Sequence, residues 1–203
     1  AAFPSSFSYG NDAVETVSYD SDGAKKLLEE SGWTDTDGDG YADKDGQKLT
    51  INWLTYPTRL EQPKLAEYAQ ATLKDIGIDV QVNNTSDHRT FAENGDFDVY
   101  VSSTTTAPTG DPEYFFTSTV VGAKNYGNYQ NEEVTKLTDQ LHQTFDKDER
   151  GKLAVELQQK ILDDDAFFFV SHLNMGIVTK SNVTGMAAHP CDYYEITAEL
   201  DVE

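Results

Sequence analysis

The 203-residue sequence contains one cysteine, Cys191, so it cannot form a disulfide within itself. Basic residues are scarce: 15 Lys and Arg stand against 36 Asp and Glu, a formal net charge of −21. Such a surface repels nucleic-acid phosphates and anionic membranes, and it favours solubility and cationic ligands. Long apolar runs are missing too. The longest is AFFFV, far short of the roughly eighteen residues of a membrane span. No nucleophile elbow, phosphate loop, HExxH helix or kinase signature occurs, and nothing singles out an acid pair for glycoside hydrolysis. The residues thus make only a weak case for an enzyme. The opening AAFPSSFSYGNDAVETVS lacks a signal-peptide pattern and reads as an extended entry segment within a larger protein.

What is present is α/β patterning. Asp20 or Ser21 caps a helix carrying Ala24, Leu27 and Leu28, which Gly32 and Trp33 close. Leu49, Ile51 and Trp53 alternate as a strand. Pro63 opens a helix with Leu65, Ala69, Leu73 and Ile76, and Gly77 ends it. Ile78, Val80 and Val82 alternate again, giving a strand–helix–strand unit with parallel strands. A short helix near Phe91 leads to a strand FDVYV and then to the aperiodic loop SSTTTAPTGDP. Asn131 caps a helix turning Val134, Leu137, Leu141 and Phe145 inward. Asp146 and Glu149 form a capping box for the next, with Leu153, Leu157 and Ile161 inward. AFFFV reads as a strand buried on both faces and GIVTK as another.

Two sites draw attention. Asp35, Asp37 and Asp39 before Gly40 reproduce the start of an oxygen-ligand calcium loop, with Tyr41 offering a carbonyl and Asp43 a water-mediated ligand. The twelfth position, where a bidentate Glu belongs, is Gly46. The alternative is a metal-free hairpin rich in Asp and Gly. The four histidines, His88, His142, His172 and His189, lack the short spacing of a zinc site. His142 reads as solvated, His88 as a loop or first-turn residue, and His172 as satisfying local backbone. His189 lies two residues from Cys191 and near Tyr193 and Tyr194, donors suited to a borderline transition metal, or simply to a surface loop. Tyr114, Phe115, Phe116, Tyr126 and Tyr129 flank the threonine-rich loop as core or as a cleft wall.

Seven blocks carry a family likeness: YDSDGAKKLLEESGWTDTDGDGYADKDGQKLT, LKDIGIDV, GDFDVYV, GDPEYFF, NYGNYQNEEV, FDKDERGKLAVELQQKILDDDAFFFVSH and VTKSNVTGM. In this order they resemble the extracytoplasmic solute-binding proteins that feed dipeptide, oligopeptide and nickel ABC transporters. The resemblance implies an α/β fold, one lobe of a type II periplasmic-binding-protein clamp with a mixed sheet flanked by helices. Residues 1–203 would be a single C-terminal ligand-binding lobe, with the partner lobe preceding Ala1. It also implies a monomer without catalytic residues or required cofactor, partnered with ABC permease subunits. The implied location is extracytoplasmic, periplasmic or lipid-anchored at the cell surface. Family members carry the acidic loop as an ordinary connection, which weighs against calcium.

Peptide-binding members of that family typically read W-x-A-D-Y after the FDVYV-type strand, the Asp anchoring the peptide amino terminus. Here the stretch is Thr105, Thr106, Ala107, Pro108, Thr109, and Pro108 carries no charge. An A-P pair resembles the nickel branch, whose cargo is a small chelate such as nickel–histidine. The ligand wall implied is Thr104 to Thr109 with Asp111 and Tyr126, and His189 is the implied nickel donor. A short-peptide binder with a different amine anchor remains the alternative, followed by a calcium-stabilised extracellular module or hydrolase.

Overall fold

The computed structural model describes residues 1–174, 176–188 and 196–202. The chain divides into two compact units. One is Val17–Thr104; the other joins Ala1–Thr16 to the residues from Thr105 onward. They are called the sheet unit and the helical unit below.

In the sheet unit, α1 (Ser21–Glu30) starts where the Asp20 carboxylate accepts the Gly23 N–H at 2.8 Å. It stops where Gly32 turns left-handed and Trp33 N–H reaches back to the Leu28 carbonyl at 2.9 Å. An antiparallel hairpin follows, β1 (Asp43–Lys44) with β2 (Gln47–Lys48). Its two turn residues, Asp45 and Gly46, have φ of 53° and 74°, the mirror-image turn whose twist matches a two-residue hairpin.

Strand β3 (Thr50–Thr55), helix α2 (Glu61–Lys74) and strand β4 (Asp79–Asn84) form the expected parallel unit, with Thr50 opposite Asp79 and Thr55 opposite Asn84. Gly77 ends α2 at φ 84°, with its N–H on the Lys74 carbonyl and Ile78 N–H on that of Leu73, both 2.9 Å. A side chain there would be strained by φ and would also stand 3.0 Å from the Ala42 backbone nitrogen. Helix α3 (His88–Asn94) leads to β5 (Val99–Tyr100), which pairs parallel on the other side of β3. The order is thus β4-β3-β5. Trp53, Ala66, Ile78 and Val80 form the core beneath this sheet, with Leu28, Leu73 and Val99 packed against it.

In the helical unit, α4 (Glu113–Phe115) runs into a wide turn, Phe116–Val120, closed by Val121 N–H on the Phe116 carbonyl at 3.0 Å. Helix α5 (Glu132–Gln143) is capped by Asn131, which accepts from Glu133 and Val134 N–H. Helix α6 (Lys147–Asp163) is capped by Asp146, which accepts from Asp148 and Glu149 N–H. The Glu149 carboxylate meets Lys152 Nζ at 2.8 Å. A two-stranded antiparallel ribbon joins β6 (Val183–Thr184) to β7 (Asp201–Val202), so both parallel and antiparallel pairing occur.

Four expectations are corrected here. The entry segment is core: Phe3 is fully buried and meets Tyr9, Phe115 and Phe116 edge-on at 5.0–6.0 Å. Phe145 lies beyond the end of α5 and is 93% exposed. AFFFV forms no strand. Phe167 and Phe169 pack on the helical core while Phe168, between them, is 88% exposed, so the run alternates and is not buried on both sides. GIVTK forms no strand either, and pairing begins later, at Val183.

Candidate functional site

The strand order fixes where a ligand crevice belongs. The chain leaves β3 for β4 on one side and returns to β5 on the other, so the connections at the carboxyl ends of β3 and β5 diverge. A parallel α/β sheet opens its binding crevice at such a switch point. Tyr56 follows β3, Tyr100 ends β5, and His88 opens the helix that follows β4.

These three residues, with the backbone of Ser103, make one built group. The buried Tyr56 ring stacks on the His88 imidazole at 4.1 Å and 23°. His88 Nδ1 lies 2.6 Å from Tyr100 Oη. The Tyr56 hydroxyl accepts the Ser103 N–H at 2.9 Å, tying the segment after β5 to the end of β3. Burial, then the nearby Arg89 charge, hold the His88 pKa below the ordinary histidine range, against a smaller opposing pull from Asp87. At neutral pH the ring is therefore uncharged, able to offer a lone pair from one nitrogen and a proton from the other.

Of the residues expected to wall the site, Thr104 closes the sheet unit and is exposed. Thr105 to Thr109 fall in the helical unit. Thr105 and Thr109 are exposed, Thr106 and Pro108 half-buried, and Ala107 packs on the helical core. Gly110 N–H on the Ala107 carbonyl closes a turn here, and Tyr9 donates its hydroxyl proton to the Gly110 carbonyl at 2.6 Å. Burial, followed by the Asp111 charge, pushes the Tyr9 pKa up to about 12. Tyr126 is half-buried in a separate turn, its N–H on the Lys124 carbonyl.

Asp111 sits in an Arg150 fork. Arg150 Nε meets its Oδ2 at 2.8 Å and Nη2 meets its Oδ1 at 2.6 Å. Nη2 also reaches Glu113 Oε2 at 2.8 Å, and Nη1 spans the carbonyls of Leu141 and Thr144, both at 2.6 Å. The guanidinium's five donors are spent inside the unit. Burial raises both carboxyl pKa values, but the hydrogen bonds and charge of Arg150 outweigh it, and both end below the ordinary range. His142 was read as solvated; its ring is exposed yet held by Glu113 Oε1 at 2.6 Å. An open depression of about 690 Å³ lies over this node, touching Ser8, Glu113, His142 and Arg150. Asp111, Glu113, His142 and Arg150 are committed to each other, so it reads as a structural joint.

The acidic loop resolves toward the hairpin. Carboxylate oxygens of Asp35, Asp37 and Asp39 do lie within 4.8 Å of one another. They are already engaged, however. Asp35 accepts Gly38 and Gly40 N–H, Asp37 accepts Asp39 N–H, and Asp39 accepts Tyr41 N–H. Asp39 also pairs with Lys48 at 2.5 Å, and the Lys48 ammonium stands 4.4 Å over the Tyr41 ring. Asp43 takes both donors of Thr36. A lysine supplies the positive charge, and nothing supports calcium at these residues. His189, with Cys191, Tyr193 and Tyr194, lies outside the described residues. Sequence reading missed Tyr56, Tyr100, Arg150 and the placing of His88; the switch-point rule was the one signal that could have found the first two and His88.

Comparison with known proteins comes after this geometry. A family model described as bacterial extracellular solute-binding proteins, family 5 middle, matches residues 1–127. The oligopeptide-binding protein AppA of Bacillus subtilis is 30% identical over 200 residues, 95% of this chain and 37% of that protein. Its structure with a nonapeptide matches at TM-score 0.66 with 28% identity, over 81% of this chain and 34% of that one. The nickel-binding periplasmic protein of Escherichia coli is 26% identical over 197 residues, 93% of this chain and 37% of that protein. The NikA structure from Staphylococcus aureus, in complex with Ni(L-His)2, matches at TM-score 0.66 with 26% identity, over 80% of this chain and 33% of that one. The chain thus spans a little over a third of the curated relatives it matches. Its neighbours among solved structures are type II periplasmic binding proteins, as the resemblance implied.

Proposed function

The chain belongs to the bacterial extracellular solute-binding proteins of family 5, and from that premise we propose that it is one lobe of a clamp capturing a small solute for an ABC importer. Binding and delivery, not catalysis, is the activity. The permease subunits of the importer are its protein partners, and an extracytoplasmic location follows from the same reading. Among the described residues no helix is long and apolar enough to cross a membrane.

For the cargo we propose a nickel chelate of the nickel–histidine type. The observation that carries this is the state of the acidic group beside the threonine loop. A peptide clamp needs a free carboxylate for the ammonium of its guest. Pro108 has none, and Asp111, three residues on, has both oxygens in the Arg150 fork. An ammonium would have to displace a bidentate guanidinium, which costs more than a single new ion pair returns. An uncharged threonine wall suits a small polar complex better, and the net charge of −21 favours a cationic one. Peptide capture is the second reading, favoured by the identity with AppA over 95% of the chain.

Calorimetry on the intact protein separates the two. Nickel–histidine is expected to bind, and dipeptides and nonapeptides are expected to give no heat. Tight peptide binding without any response to nickel reverses the assignment. The 203-residue chain alone is expected to bind more weakly than the intact protein, because one jaw provides part of the contact and little desolvation. Equal affinity would count against the clamp.

A further inference from the structure

We propose that His88 is the protein's own ligand to the captured metal complex, binding through Nε2, with Tyr100 and Tyr56 as its positioning residues. The proposal rests on the nickel reading above and is argued from the sheet unit alone.

The geometry sorts the two ring nitrogens. Nδ1 is taken by Tyr100 Oη at 2.6 Å, and the Tyr56 ring lies against one face of the imidazole. Nε2 is the ring nitrogen that remains once Nδ1 is taken. When Nδ1 carries the proton and donates it to Tyr100 Oη, Nε2 holds the lone pair. Metal-binding histidines are generally fixed this way, with the second ring nitrogen donating to an oxygen, which sets both tautomer and ring plane. The support is itself anchored: Tyr56 is buried, and its hydroxyl accepts the Ser103 N–H at 2.9 Å. The ring stays half-exposed, and it stands at the carboxyl end of the sheet where the strand order reverses.

The chemistry fits a borderline divalent cation. Neutral imidazole is a good donor for nickel. Coordination would form one Nε2–nickel bond and release one weakly held water from the chelate. No electron is transferred. In the tautomer with the proton on Nδ1, no proton need leave. Arg89 and Asp87, on either side of His88 in sequence, leave the local charge near balance.

The test uses the intact protein with nickel–histidine. Mass spectrometry of the native complex counts the histidine molecules bound, and X-ray absorption at the nickel edge counts imidazoles on the metal. In the wild type the second number is expected to exceed the first by one. His88→Gln, which keeps a polar group for Tyr100, is expected to remove that extra imidazole. It should weaken binding at an unchanged melting temperature, and by more than Tyr100→Phe, whose supporting role predicts a loss of about 10-fold. Equal counts in the wild type overturn the assignment without any variant. An extra imidazole that survives in His88→Gln overturns it too, placing the donor elsewhere. Wild-type protein that ignores nickel–histidine removes the nickel reading and this proposal together, whereas normal binding in His88→Gln removes only the proposal.

Discussion

The helical unit and the sheet unit bury their apolar residues on different scales. Twelve buried side chains form the helical core, among them Phe3, Phe116, Leu141, Leu157 and Ile161, and aromatic rings meet edge-on around Phe3 and Phe115. The cluster beneath the sheet has four, Trp53, Ala66, Ile78 and Val80, with Ala42, Leu54, Tyr56 and Ala92 buried elsewhere in that unit. At roughly 1.5–3 kcal/mol for each large apolar side chain buried, the helical core supplies much the larger driving force. Polar groups follow the same division. In the helical unit they are consumed internally, as in the Arg150 fork. In the sheet unit Tyr56, His88 and Tyr100 are bonded to each other yet stand at the strand ends. A well-filled core and a closed ion-pair joint suit a scaffold; polar aromatics at the carboxyl edge of the sheet suit the binding role proposed for them.

The largest expected effect lies in the larger core. Phe116→Ala removes a ring with no exposure that touches Phe3 and Phe115. It should cost about 3–5 kcal/mol in urea unfolding. A loss under about 1 kcal/mol would mean that the core collapses around the gap, and that its packing is far less constrained than the ring geometry indicates.

Next comes Arg150→Met, which strands Asp111, Glu113 and the carbonyls of Leu141 and Thr144 together. About 2–3 kcal/mol should be lost at neutral pH, allowing for the partial exposure of the two carboxylates. The pH dependence has a definite sign. Both carboxyl groups have folded pKa values below the ordinary values of 3.8 and 4.5. The stability they contribute is present above that range and is lost as pH falls through the lowered values. Wild type and variant should therefore draw closer in acid, leaving the part due to the Leu141 and Thr144 carbonyls. A gap that stays constant to the lowest pH would show that the fork acts through packing and those carbonyl bonds alone.

A smaller effect belongs to the sheet unit. Gly77→Ala forces an L-residue to φ 84° and brings its Cβ to 3.0 Å from the Ala42 nitrogen. About 1–2 kcal/mol should be lost, and amide exchange should quicken at Ala42, whose N–H bonds the Gly77 carbonyl at 2.7 Å. Unchanged exchange there would show that α2 ends independently of the acidic loop. The smallest effect is expected from calcium. Since the Asp35, Asp37 and Asp39 carboxylates already serve backbone N–H groups and Lys48, thermal melts should not respond to added calcium. A rising Tm would show that the cation can replace Lys48.

What the sequence determined by itself is local. Asp20, Asn131 and Asp146 cap helices as their residue type dictates, because a short polar side chain reaches the free N–H groups of the next turn. Gly32 and Gly77 stop helices, Asp45 and Gly46 turn the hairpin, and the helix between β3 and β4 makes them a parallel pair. The family likeness was also legible, because its blocks run in order along most of the chain. The tertiary structure alone decided the rest. Phe3 enters a core made by residues more than a hundred positions later, and the AFFFV run alternates because its backbone meets no strand among the described residues. Arg150 closes on Asp111 across 39 positions, and Tyr56 reaches Ser103 across 47. Caps and turns need only neighbours that the chain itself supplies. A core position, an ion-pair fork or a binding edge is defined by groups that meet only after the strands have chosen their order.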